Sequence, residues 1–118
     1  EAMKSANGVP FSWFLALFRN DVGVDETNFY FDGEEPGDQH YLGCLPNIDP
    51  EKPYWAGYCD LPGGFGAATA EALFNAPYYD GKSLRERWRE VHIYEIGLVP
   101  LEEYIAYHAD DYPIDAYE

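Results

Sequence analysis

Basic residues are what this chain has least of. Seven Lys and Arg stand against 22 Asp and Glu, for a formal charge of −15. Nucleic-acid binding needs cations to neutralise phosphate, so the composition argues against that partner class. An acidic field of this size favours cations, basic proteins or basic peptides, and it also serves solubility. Cysteine is scarce as well. Cys44 and Cys59 are too few for a disulfide scaffold, and in a cytoplasmic setting both stay reduced. There is no uninterrupted apolar run of about 18 residues, so no helical membrane span is expected. The stretch "VPFSWFLALF" (9–18) has the look of a signal-peptide core, but Arg19, Asn20 and Asp21 follow it where a small-residue cleavage site belongs. It reads as a structural helix, and the protein as cytoplasmic. No repeat or low-complexity tract is present.

What is abundant is aromatic: eleven Tyr, seven Phe and three Trp in 118 residues. Tyr joins a large apolar body to a polar tip, which suits half-buried sheet faces and interaction surfaces. The length fits one domain with one modest core. Residues 1–8 read as a flexible leader, with Glu1 and Ala2 ahead of Met3 resembling a cloning remnant. Residues 9–108 form the domain, and 109–118 an acidic tail expected to be mobile.

Local patterns place the elements. Pro10 opens a helix in which Trp13 and Leu17, and Phe14 and Phe18, recur at four-residue spacing. "NFYFDG" (28–33) is a β-type run ending at an Asp-Gly turn. "HYLGCLP" (40–46) and "YWAGYCD" (54–60) are the next strands, so the three suggest an antiparallel meander. A helix is expected at about 69–76, capped by Thr69. Ser83, with Glu86 three residues on, makes a capping box for a second helix along 83–90. "VHIYEIG" (91–97) alternates as a fourth strand, and Pro100 starts a last helix bearing Leu101, Tyr104, Ile105 and His108 on one side. Strands first and helices later argue for an α+β fold: a small, mostly antiparallel sheet of about four strands with three to four short helices.

The glycine-rich loop at 63–66 invites a phosphate-cradle reading, since a strand precedes it and a helix follows. The third glycine of the dinucleotide pattern is missing, no lysine follows, and Pro62-Gly63 reads directly as a turn. His40 and Cys44 share a strand face, and Cys59 and Asp60 come near if the next strand pairs with it. That set has zinc-like chemistry, but it lacks paired Cys-x-x-Cys spacing, and cysteines in apolar company behave as small buried hydrophobes. Cys59 could take His40 or His92 as a base, yet Asp60 beside it raises its pKa, which is wrong for a nucleophile. The acids Asp21, Asp25, Glu26, Asp32, Glu34, Glu35 and Asp38 could hold calcium, but they do not follow the EF-hand spacing and read better as a solvated acidic loop.

The stretches "YWAGYCDLPGG" and "TAEALFNAPYYDGKSLRERWREV", with the Ile-Gly segment and short acidic helix after them, resemble small acidic uncharacterised proteins of anaerobic gut bacteria. The resemblance spans roughly residues 28–105. It implies a small bacterial cytoplasmic domain and brings no activity or catalytic residues with it.

Three functional expectations follow. The first is a non-enzymatic module that binds a basic protein surface, as immunity proteins, antitoxins and inhibitors do, with contacts at Tyr30, Asp32, Glu34, Glu35 and Asp38. The second is a small-molecule-binding domain or enzyme, its pocket at the end of strand 54–60 and the Gly63–Gly66 loop, drawing on His40, Tyr58, Cys59, Asp60, Gly64 and Gly66. The third is an oligomerisation unit in which Arg85, Arg87 and Arg89 meet the acidic face of a neighbour, while Glu86 and Glu90 among them could instead pair with them internally. No catalytic residue, cofactor or metal is assigned.

Overall fold

The apolar stripe of residues 11–18 does what its spacing predicts. In a computed structural model describing residues 3–57 and 64–117, Trp13, Phe14, Leu17 and Phe18 are fully buried on α1 (Phe11–Arg19). Phe14 and Phe18 pack with Phe74 and Trp88 at ring-centroid distances of 4.9 to 5.7 Å. Phe74 comes from α2 (Ala70–Asn75), whose cap is the expected one: the Thr69 hydroxyl accepts from the Ala72 N–H at 3.1 Å. Two of the three buried indoles are satisfied, Trp88 donating to the Val9 carbonyl and Trp13 to that of Tyr112, both at 2.9 Å, while the Trp55 N–H has no hydrogen-bond partner among the described residues. A buried Trp without such an acceptor would lose much of what its area contributes.

Among the described residues the sheet has six strands where about four were expected: β1 (Thr27–Phe31), β2 (His40–Cys44), β3 (Tyr54–Ala56), β4 (Phe65–Ala67), β5 (Val91–Ile96) and β6 (Val99–Pro100). Their order is β4-β3-β2-β1-β5-β6 and every pair is antiparallel. The first four strands form the meander. The chain then passes through α2 and returns β5 beside β1, so β1 lies at the centre with Phe29 and Phe31 facing the core. The fold is α+β, with three α-helices among the described residues, the last being α3 (Leu101–Tyr107). None of the described helices is long and apolar enough to cross a membrane.

The extra strands lie where turn chemistry dominates the sequence. Gly66 belongs to β4 and pairs with Trp55, so the segment after Gly64 is a strand edge and not a loop. β6 holds two residues and closes a hairpin on β5. A second correction concerns 83–90. The capping box forms, Ser83 N–H to Glu86 at 2.9 Å and Glu86 N–H to the Ser83 hydroxyl at 3.0 Å. Yet no α-helix follows, only turns and a 3-10 helix at Trp88–Glu90. The Arg85 N–H goes to the Phe74 carbonyl at 3.0 Å, and Leu84 and Trp88 are buried, so tertiary contacts override the local helix signal.

The flanks are tied to the core. The Ala6 N–H donates to Val91 at 2.8 Å, and Asn7 Nδ2 to the Ile93 carbonyl at 2.8 Å. At the other end Tyr112, Ile114 and Tyr117 pack against the core cluster.

Candidate functional site

The Asp32-Gly33 turn that ends β1 builds one wall of a cleft. Gly33 takes a left-handed φ of +87°, which turns the chain so that Glu34 folds back over the strand it has just left. There Glu34 Oε1 accepts the Phe31 N–H at 2.7 Å. His40, at the start of β2, brings Nε2 to 2.9 and 2.8 Å from the two Glu34 oxygens. Its ring lies on Phe29, 5.2 Å between centroids and 24° between planes. Burial works against the Glu34 charge, but the Phe31 N–H, the His40 contact and the field of Arg87 together hold its carboxyl below the usual value.

The opposite wall comes from a tight hairpin. Tyr79 and Lys82 exchange backbone hydrogen bonds of 3.0 and 3.1 Å around Asp80 and Gly81, both at positive φ (+54° and +80°). Asp-Gly is the dipeptide that such a turn prefers. Tyr79 packs edge-on against Phe29, Phe31 and His40, and burial pushes its phenol pKa up. Arg87 lies flat on Phe31, its guanidinium 3.6 Å from the ring centroid, and reaches Glu90 at 3.3 Å. The space between, about 460 Å³, is lined by Phe31, Asp32, Glu34, His40, Tyr78, Tyr79, Asp80 and Arg87.

This cleft gathers residues that the sequence distributes over three separate readings. Asp32 and Glu34 come from the expected partner contacts, His40 from the small-molecule pocket, and Arg87 from the oligomerisation segment. Tyr30 lies behind the cleft with its ring stacked on His92 at 4.5 Å and 3°, and His92 Nε2 holds Asp32 at 2.7 Å. Glu35 and Asp38 are exposed in the β1–β2 turn. Asp38 accepts the Tyr41 hydroxyl, which lowers its pKa, and the Glu35 carbonyl accepts from Gln39 at 3.1 Å. Arg85 lies over Phe11 at 5.4 Å, and Arg89 is exposed.

Of the residues expected for a small-molecule pocket at the strand 54–60 end, His40, Gly64 and Gly66 are among those described. Tyr58, Cys59, Asp60 and Gly63 lie outside the described residues. Gly64 abuts Gly57, where a side chain would also meet the Tyr78 hydroxyl. Gly66 sits in β4, and neither glycine lines the cleft that holds His40. Cys44 is buried on the core side of β2, its thiol pushed up to about 11 by burial and the negative field of Asp21.

Tyr79, Asp80 and Arg87 were not marked in the sequence as parts of one site. The usable signal was Asp80-Gly81 between Tyr79 and Lys82, a hairpin signature that also serves as a helix breaker. Nothing local joins Arg87 to Phe31.

Chemically, the cleft sets three carboxylates, Glu34 held by His40, Asp32 held by His92, and Asp80, against one guanidinium laid on Phe31 and paired with Glu90. With aromatic sides and anionic rims, it suits a cationic side chain more than an anion. No protein-family model, curated protein or solved structure matches the chain.

Proposed function

We propose that the protein is a non-enzymatic, cytoplasmic interaction module that binds a basic protein surface, and that the cleft receives one Lys or Arg side chain of that partner. The observation that carries this is the cleft's charge. Asp32, Glu34 and Asp80 converge around aromatic walls in a molecule of formal charge −15, and the one Arg among them is already engaged. A partner cation inserted here exchanges water for carboxylate oxygens and ring faces, the environment in which cationic anchors contribute most to an interface. Glu35 and Asp38, exposed beyond the cleft, extend the acidic rim and steer the approach.

The test is a tagged pull-down from the source cell's lysate at low and high salt, with wild-type protein and with Asp32, Glu34, Glu35 and Asp38 all reversed to Lys. A stoichiometric basic protein that leaves at high salt and is not retained by the reversed variant is the expected result. Equal retention by both proteins overturns the proposal.

One observation favours a second reading, a small ligand in the same cleft. His40 held by Glu34, with Arg87 nearby, could take an anionic or polar molecule. The two readings differ in the sign of the Arg87 effect.

A further inference from the structure

At the other end of the central strands the surface has a different chemistry. β5 and β6 are joined by the two-residue turn Gly97-Leu98, with Ile96 paired to Val99. Both turn residues have positive φ, +59° and +64°. Such a turn favours Asn or Gly, and a branched residue in this conformation is strained. Leu98 is also 54% exposed, so its side chain gains little from the fold. Two local costs meet at one residue, and the surrounding structure holds it there. The Leu98 N–H donates to Glu26 at 2.9 Å, the Gly97 N–H to the Thr27 hydroxyl at 3.2 Å, and a side chain at 97 would run into the Gly23 carbonyl. The tip is fixed and Leu98 is presented outward. Its chain neighbours Gly97 and Val99, the latter 37% exposed, line a hollow of about 390 Å³ together with Ile96, Tyr104 and Tyr107, which is 83% exposed, and with the polar side chains of Asp25, Glu103 and His108.

We infer that this tip is a second docking surface, and that its partner is an amphipathic protein helix with an apolar face and basic flanks. Three features select that occupant. Asp25 and Glu103 line the hollow, and Glu26, whose carbonyl holds the Leu98 N–H, is exposed beside the turn, so the complementary flank is cationic. A second copy of this chain would bring the same acids face to face across a two-fold axis. An added β-strand finds no template, because the edge strand is two residues long and Pro100 has no N–H to offer. What remains is side-chain docking into a hollow, the way an apolar helix face is bound. The surface is separate from the acidic cleft. Asn28 pairs with Glu95 near the tip, whereas Phe31 pairs with Val91 beside the cleft. The inference therefore stands independently of the proposed function.

The probe is a fluorescein-labelled peptide of leucine and lysine patterned as an amphipathic helix, beside an isomer of the same composition with the pattern scrambled. Binding is read by anisotropy and by amide shifts of the full chain. The patterned peptide is expected to bind about tenfold or more tighter than its isomer, moving the amides of Gly97, Leu98, Val99 and Glu103. Leu98→Asn relieves the strained turn, so it keeps the fold while weakening the patterned peptide by about tenfold. Equal binding of the two isomers, unchanged affinity in Leu98→Asn, shifts confined to residues 32–40, or sedimentation showing the tip covered by a second copy each overturns the inference.

Discussion

Replacing Arg87 by Met separates what that residue does for stability from what it does to the cleft. Met keeps most of the apolar stem against Phe31 and removes the charge. Two contacts go: the guanidinium 3.6 Å over the Phe31 ring and the 3.3 Å pair with Glu90. A partly exposed cation–π contact contributes about 0.5–1 kcal/mol, and a surface ion pair about 0–1 kcal/mol. The variant is therefore expected to lose about 0.5 to 2 kcal/mol, read as a lower urea midpoint at an unchanged slope. Binding moves the other way. A cleft of about 460 Å³ is about 8 Å across, and a like charge at that distance repels an incoming cation by about 0.5 kcal/mol in water and about 2 kcal/mol at an effective dielectric of about 20. A Lys- or Arg-bearing peptide should bind Arg87→Met roughly 2- to 30-fold tighter at low salt, and the gain should shrink as salt rises. Titration of both proteins with one arginine-containing peptide, followed by amide shifts at His40 and Asp80, measures it. Weaker binding in the variant would refute the cation reading, because removing a like charge can only ease the entry of a cation.

Other outcomes are equally specific. Gly97→Ala puts a side chain against the Gly23 carbonyl at a φ of +59°, and should cost at least about 2 kcal/mol by chemical denaturation. Leu98→Asn in the next position should leave stability equal or raise it by up to about 1 kcal/mol. Glu34 has its folded-state pKa lowered from 4.5, so its contribution is present above pH 4.5 and is lost as pH falls through the lower folded value. Glu34→Gln should accordingly flatten the acid limb of the stability profile below that pH and leave its shape near neutrality unchanged. With its thiol at about 11 and buried, Cys44 should resist maleimide at pH 8 in the native protein and label rapidly in urea, as mass mapping of its peptide would show.

The sequence displayed α1 clearly because four large apolar residues share one helical face. It displayed β1 through the alternation of Phe29 and Phe31 and the Asp-Gly turn behind them. β4 and β6 left no such mark. At three and two residues they are too short to carry a period, and they pair because β3 and β5 present open edges to them. The Ser83–Glu86 box was legible and real, yet it closed a turn, since burying Leu84 and Trp88 outweighs local propensity. The cleft was legible only in pieces. Its acids, its histidine and its arginine come from β1, β2 and the segment before β5, which the sheet order makes neighbours. The contact between Arg87 and Phe31 has no counterpart in local sequence.

The placement of β5 beside β1 has a consequence for how the chain is made. Asp32 meets His92 60 residues later, and α1 receives its indole acceptor from Tyr112, 99 residues after Trp13. At about 5–20 residues per second, β1 waits on the ribosome for several seconds after it emerges before its second neighbour appears. During that interval one side of the sheet's central strand has no partner to pair with, the condition in which strands of adjacent nascent chains pair with one another. Acids crowd the segment around β1, with Asp25 and Glu26 before it and Asp32, Glu34 and Glu35 after it. Neighbouring nascent chains on one polysome therefore repel at the place where their edges are open, until β5 arrives and closes the sheet.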